Sequence, residues 1–361
     1  MLLQPFIKSR FSHTQLIMLD VIIALMPMVF AAWLAYGQLA LIQIGIAVVT
    51  ACLTDFLFSA ILLKKYKSIW DGSAVVTALL FVFTLSPLSP WYMVSFGAFA
   101  AILFGKIVWG GLGKNTFNPA LVGREFMAVF FASSLSSSSL WKTADLIQTA
   151  GVSYTWATDI TAISDRLNAI VFKTNGALGE YSILAISLGG LYLLIRGRIS
   201  WHIPLSLIAG LTLLLGIFNE ANLQFSIAGV LLGSLFMATD MPSSPTTKLG
   251  KCYYGFMIGI TAFICIKSGV RYEYMSYSIL LLNGFSSPIS RVFKPQVWGT
   301  SRDWKKWIED IFVLSLLILG LSFAIVSLYQ YDLIHYLIYL YIIYIIFKFN
   351  YSFSNQISNA I

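Results

Sequence analysis

Apolar positions in this chain fall in unbroken runs, with neither the one-sided spacing of an amphipathic helix nor the alternation of a half-buried strand. A helix needs about 20 such residues to cross a hydrocarbon core. Runs of this order extend from Leu16 to Tyr36, Leu39 to Leu63, Trp91 to Trp109, Tyr181 to Ile195, Ile203 to Phe218 and Tyr253 to Ile266. Between them lie shorter, broken stretches: Asp71 to Ser86, Thr116 to Phe131, Leu223 to Thr239 and Tyr274 to Ile289. If each crosses, Met1 to Phe131 carries five passes and Glu180 to Ile289 carries five more. In hydrocarbon the backbone must satisfy its own hydrogen bonds, so the pattern predicts an all-α polytopic membrane protein.

The two blocks look alike. "LLFVFTLSPLSPW", from Leu79, aligns without gaps on "SLFMATDMPSSPT", from Ser234, so that Leu80, Thr84, Pro87 and Pro90 meet Leu235, Thr239, Pro242 and Pro245. Ser-Pro turns at helix ends explain each pair alone but not the matched spacing. Farther on, Asn118-Pro119 in the first block is paired with Asn283 and Pro288 in the second. Because five is odd, the second copy starts on the opposite side of the membrane, which makes an inverted-topology repeat. Breaks at matching places predict half-helices whose free ends meet near the midplane, where an ion or ligand can be held. The expected units are a first membrane repeat over 1–131, a loop over 132–179, a second repeat over 180–299 and a tail over 300–361.

Composition agrees. Of 361 residues 58% are hydrophobic and 11% charged, where a soluble domain has about a quarter charged, and the mean hydropathy is +0.81. With a cytoplasmic N-terminus, Lys64, Lys65, Lys114, Arg196, Arg198, Lys248, Lys251 and Arg291 fall inside and Lys142, Arg166, Lys173, Lys267 and Arg271 outside. The excess of basic residues inside selects this orientation and puts the 132–179 loop on the far side. The formal charge of +8 is thereby explained by orientation, and no nucleic-acid partner is expected. The first apolar run is too long for a signal peptide and is followed at once by another span, so a first helix is expected. Cys52, Cys252 and Cys265 stand singly, without the spacing of a zinc site or a disulfide framework, and read as small buried hydrophobes.

Acidic residues inside apolar runs are expensive, at about 2.5 to 3.5 kcal/mol for a central Asp on insertion scales, so each is expected to be partnered, buried against protein or on an ion path. Asp20, Asp55, Glu125 and Asp240 qualify. Asp55, beside Thr54, reads equally as an ion-path residue or a hydrogen-bonding anchor, and Asp20 and Asp240 are further candidates for the path. Neighbouring helix residues do not face one another, so the partner of Glu125 is expected on another helix rather than at Arg124. "GGLGKNTFNPALVGREF", Gly110 to Phe126, reads as a tight re-entrant turn or a binding site, with Pro119 suited to a first helical turn. Asp71, in "DGSAVVTALL", reads as a helix cap, and His202, in "SWHIPLSL", as an interfacial anchor. "SYTWATDIT", Ser153 to Thr161, is a short hydroxyl-rich segment of the 132–179 loop.

"DGSAVVTALL", "GGLGKNTFNPALVGREF", "RISWHIPLSL", "MATDMPSSPTTKLG" and "YSILLLNGFSSPISRVFKPQVWG", in this order, resemble the D subunit of the Rnf ion-translocating electron transport complex, and more distantly the B subunit of the sodium-pumping NADH:quinone reductase. The resemblance covers about Met1 to Gly299. It implies a ten-span inverted repeat in the bacterial inner membrane, with FMN linked through its phosphate to a threonine of a periplasmic loop and room for a second, noncovalent flavin. The attachment sequence of the family reads approximately Asp-x-x-Ser-Gly-Ala-Thr. Thr158 matches the modified threonine, Ala157 the alanine before it and Thr155 the earlier hydroxyl, while Val152 stands at the usual Asp and Trp156 at the usual Gly or Gln. A plain loop hydroxyl is the other reading of Thr158.

The implied activity is that of a translocase and oxidoreductase subunit, inactive alone, with other membrane and peripheral subunits and a flavin-attaching transferase as partners. No cysteine set here holds an iron-sulfur cluster, so an electron on this chain sits on a flavin. The inverted repeat alone equally describes a passive channel or solute transporter, or a scaffold subunit without redox chemistry. Beyond Thr300 the resemblance stops. "SRDWKKWIED" reads as an amphipathic interfacial stretch, Ile311 to Tyr329 as one more span, and Tyr331 to Phe349 as an apolar run of open topology.

Overall fold

The computed structural model of the protein describes residues 13–66, 68–135, 141, 176–218, 223, 225–295 and 303–358. Among them every regular element is helical, as the apolar runs predict. Two long helices open the fold, α1 (His13–Tyr36) and α2 (Gln38–Leu63), joined by a turn at Gly37, whose positive φ suits a residue without Cβ. They are followed by α3 (Ser73–Val82), α4 (Trp91–Ile102), which continues as a π turn over Leu103–Ile107, and α5 (Pro119–Phe130). The second block repeats the theme with α6 (Ile183–Ile195), α7 (His202–Phe218), α8 (Ile227–Leu232, extended by a π turn over Gly233–Met237), α9 (Lys248–Lys267) and α10 (Tyr274–Gly284). A short α11 (Ser286–Val292) leads to a terminal pair, α12 (Trp304–Gln330) and α13 (Ile334–Ser358).

Helices α1, α2, α9, α12 and α13 are long and apolar enough to cross a membrane. Others are half that length for a local reason. At the end of α3, Thr84 Oγ1 donates back to Phe81 O at 2.7 Å, and past α8 Thr239 Oγ1 donates to Leu235 O at 2.6 Å. Each hydroxyl occupies a carbonyl of the last turn, and Pro87 or Pro242 follows without an N–H to continue the ladder. At 10 residues, α3 reaches about 15 Å, half of a hydrocarbon core.

Corresponding helices pack alike in the two blocks: α1 on α3 and α6 on α8, α2 on α4 and α7 on α9, α4 on α5 and α9 on α10. Between blocks, equivalents meet each other, α1 on α6 and α5 on α10. They run antiparallel, since Asp20 near the start of α1 reaches Tyr192 and Arg196 at the end of α6. At that crossing the backbones nearly touch: a Cβ on Gly189 would lie 2.2 Å from Ala24 O, an approach that small residues permit between membrane helices.

Two sequence expectations are revised. The offset that carries Thr84 to Thr239 also carries Pro119 to Tyr274, the first residues of α5 and α10. The repeat counterpart of Asn118 is therefore Glu273, not Asn283. Asn118 and Asn283 correspond only in space, because antiparallel half-helices bring the start of one to the end of the other. The described part of "SRDWKKWIED", from Asp303 on, runs straight into the span that follows. Asp303 Oδ1 accepts from Lys306 N at 3.3 Å, and α12 then runs unbroken for 27 residues. Asp71 stands one residue ahead of the Gly72 cap of α3, although its Oδ1 still accepts the Ser73 N–H at 2.8 Å.

Candidate functional site

Polar side chains gather at the two ends of the interface between the blocks. At one end Asn118 joins two broken helices: its Oδ1 accepts from Ala120 N at 3.0 Å at the start of α5, and its Nδ2 donates to Met237 O, the end of the π turn after α8, at 3.1 Å. With the Asn283 amide oriented to satisfy both of its atoms, Asn283 Oδ1 accepts the Asn118 N–H at 3.0 Å and its nitrogen faces Tyr254 Oη at 2.5 Å. Two half-helix ends are thus tied by side-chain amides where a helix terminus would otherwise leave orphaned backbone groups.

Beside this knot is a cavity of about 290 Å³, lined among others by Lys106, Asn115, Asn118, Arg198, Thr239 and Asp240. Asp240 Oδ2 accepts from Ser243 Oγ at 3.0 Å and Asn115 Nδ2 at 3.1 Å, and it makes no ion pair with a described residue. Lys106, on the π turn that ends α4, donates to Asp55 Oδ1 at 2.8 Å and Ser73 Oγ at 2.6 Å. Asp55 Oδ2 also accepts from Ser68 Oγ at 2.8 Å. Exposure of the two ionic side chains is 1% and 0%, so this charge pair is removed from solvent and held by hydroxyls on both sides.

Asp20 sits elsewhere, clamped by Arg198 Nε at 2.6 Å, Arg196 Nη2 at 3.1 Å and Tyr192 Oη at 3.1 Å. It binds the first block to the second. Asp20, Asp55 and Asp240 therefore occupy three settings: a clamp between blocks, a buried ion pair, and a carboxylate held only by neutral donors. His202 lies against Trp201, with ring centroids 4.1 Å apart, and its Nδ1 is 2.9 Å from Ser200 Oγ.

The opposite end holds Arg124, Glu125, Glu180 and Glu273. Arg124 Nη1 donates to Thr84 O and Nη2 to Tyr272 O at 2.8 Å, while its Nε is buried without a partner. Glu125 is 4% exposed, lies near Ser276 on α10, and leaves Oε1 buried without a partner. The group near it on another helix is thus a hydroxyl, and it makes no ion pair with a cation among the described residues. Glu180 and Glu273 lie just outside α6 and α10, and burial raises both carboxyls above the ordinary glutamate range against the opposing pull of Arg124. Neither stands out in the sequence, because a charge at the edge of an apolar run looks like an ordinary boundary. Lys106 reads there only as a basic residue; the signal is a lone Lys and a lone Asp deep in neighbouring passes.

The connection between the blocks leaves and returns at this second end. Trp141 stacks on Tyr272 at 4.4 Å, and Leu178 N and Gly179 N donate to Leu85 O and Phe83 O at 2.7 and 3.0 Å. Thr158, with Val152, Thr155, Trp156 and Ala157, lies outside the described residues.

Two antiparallel helical blocks whose broken ends converge on buried polar groups define a polytopic membrane protein of the inverted-repeat, transporter-like class. Residues 1–299 match the family described as "NQR2, RnfD, RnfE family", and the chain belongs to that family. It is 36% identical over 304 residues to the D subunit of the Na(+)-translocating ferredoxin:NAD(+) oxidoreductase complex of Acetobacterium woodii, covering 82% of this chain and 94% of the relative. It is 33% identical over 306 residues to the D subunit of the proton-translocating ferredoxin:NAD(+) oxidoreductase complex of Clostridium ljungdahlii, covering 79% and 92%. To the D subunit of the ion-translocating oxidoreductase complex of Pectobacterium atrosepticum it is 29% identical over 350 residues, covering 82% and 98%. Helices α12 and α13 lie beyond the family match.

Proposed function

We infer that this chain is the D subunit of a redox-driven ion-translocating electron transport complex, working with other membrane and peripheral subunits and inactive alone. The observation that carries the reading is the cavity at the Asn118 knot, where ends of α5 and α8 converge beside Asp240 and Lys106 within the residues that match the family. The reading sets the chain in the bacterial inner membrane, with the Lys114 end cytoplasmic and the 132–179 loop periplasmic. What supports this orientation is the gathering of Lys64, Lys65, Lys114, Arg196, Arg198, Lys248 and Lys251 at the ends that share one side.

The reading further assigns FMN to Thr158, joined through the phosphate by a flavin-attaching transferase. An anionic group fits the end of the bundle from which this loop springs, since Arg124 there is a buried cation whose Nε lacks a partner. The cavity at the other end fits a second, noncovalent flavin in chemistry: an apolar wall of Met18, Val76, Leu80 and Phe236, with amide and hydroxyl groups from Asn115, Asn118 and Thr239 along one side. A flavin, when bound, accepts and returns electrons at a potential set by its surroundings. The protein groups exclude water, orient the ring edge and carry the compensating charge.

For the translocated cation, Asp240 is held by neutral donors only, lines the cavity and is assigned direct contact. Asp55 is assigned a switching role through Lys106, because a cation that displaced the ammonium would inherit a desolvated carboxylate. Asp20 is assigned the coupling of the two blocks. Fluorescence of the chain in a denaturing gel, together with intact mass, tests the flavin. The expected result is a fluorescent band carrying one FMN, lost in Thr158→Ala. A dark band from cells that contain the transferase overturns it and returns the passive channel or scaffold.

A further inference from the structure

A second cavity, of about 380 Å³, lies between α5 and α10 of the family body and the terminal pair α12 and α13. Its walls are Phe117, Phe126, Leu281, Ile325, Ile338 and similar side chains, and Glu125 is the carboxylate among them. Such a space holds no water unless polar groups line it. Glu125 is nearly fully buried, yet the polar group near its carboxyl on α10 is one hydroxyl, that of Ser276, and its Oε1 faces no donor. An ionised carboxylate in that setting costs several kcal/mol or more, which a neutral carboxylic acid avoids.

Arg124 does not remove the difficulty. It is adjacent in sequence and directed to Thr84 O and Tyr272 O, and it makes no ion pair with a carboxylate among the described residues. The other groups facing Glu125 are Glu273 just ahead of α10, Tyr277 on α10, Tyr341 on α13 and, through Glu273, Tyr329 on α12, all of them anionic or neutral. A metal cation needs several oxygen ligands; Glu125 and Ser276 supply too few. A proton needs one.

We propose that Glu125 is a proton-holding station in the extracytoplasmic half of this subunit, neutral in the resting state and shielded from lipid by the terminal helix pair. One carboxylate oxygen binds the proton to form the acid, and release regenerates the carboxylate, with Arg124 as the nearby cation that favours release. The repeat supplies a counterpart: Asp240 lies beside the start of α5 at one end, while Glu125 and Glu273 lie beside the start of α10 at the other. The station deepens, and rests on, the ion-translocating reading above.

The test uses the assembled complex in proteoliposomes. Infrared difference spectra between pH values and between redox states are expected to contain a carboxylic-acid carbonyl band that shifts in heavy water, disappears in Glu125→Gln and is displaced in Glu125→Asp. Ion uptake per electron is expected to fall about tenfold in Glu125→Gln and to recover largely in Glu125→Asp, with flavin fluorescence unchanged. Persistence of the band in Glu125→Gln, or uptake per electron equal to the unsubstituted complex, overturns the proposal. If the unsubstituted complex shows no redox-driven uptake, the translocation reading fails instead, while the pH-dependent band still reports whether Glu125 holds a proton.

Discussion

Lys106 and Asp55 show how much one charge costs once it is withdrawn from water. Lys106→Met leaves Asp55 with hydroxyl donors alone, and removing one member of a buried pair costs about 3–5 kcal/mol. Asp55→Asn combined with Lys106→Met removes both charges and is expected to recover most of that loss, read as thermal unfolding in detergent. Equal destabilisation in the single and double variants would contradict the pairing. The Asp20 clamp grades its two arginines: Arg198 is 19% exposed and Arg196 51%. Arg198→Ala is therefore expected to lower stability more than Arg196→Ala, because an exposed partner exchanges its bond for water at little loss. The acids at 20, 55, 125 and 240, three of them buried and Asp240 half-buried, were readable from sequence, since hydrocarbon makes each conspicuous. Their partners were not, because Lys106, Arg198 and Asn115 are distant in the chain from the acids they meet and are brought near only by helix crossings.

Among the elements, the half-helices are the consequence of short local signals. Threonine back-bonding and a proline three residues on end α3 and the π turn after α8, whereas α1 and α2 lack such a pair and run the full width. Close crossings fix how the blocks meet. Gly189→Ala puts a Cβ against the Ala24 carbonyl, which belongs to backbone and cannot swing away. The expected cost is about 1–3 kcal/mol, seen as a lower unfolding temperature and reduced yield of folded protein. Gly216, in α7, has nothing within 4 Å of an added Cβ, so Gly216→Ala is expected to be neutral or slightly stabilising on helix propensity. If both substitutions behaved alike, the crossing at Gly189 would not be a close one. Sequence alone placed the breaks but mismatched one pair: Asn118 and Asn283 share a residue type and a proline farther on, one residue away in the first case and five in the second, which made an equivalence that only the antiparallel run of α5 and α10 dissolves.

At the scale of the whole molecule, antiparallel blocks predict which loops share a side of the membrane. In a chain freed of its native cysteines, Lys114→Cys and Ser133→Cys flank α5 at exposed positions. A membrane-impermeant thiol reagent is expected to reach Ser133→Cys from the periplasm and Lys114→Cys only after the membrane is opened. Labelling of both from one side would remove the proposed topology. The sequence by itself determined that this chain lives in hydrocarbon, that its helices break at matched places and which family it belongs to, because hydrophobic run length, proline and threonine act within a few residues of where they stand. Tertiary structure decided which buried charges are neutralised, where cavities open, that Glu273 mirrors Asn118 and that α12 and α13 roof Glu125. Those depend on distances between segments far apart in the chain, and a carboxylate's role follows from what faces it and not from where it lies in the order of residues.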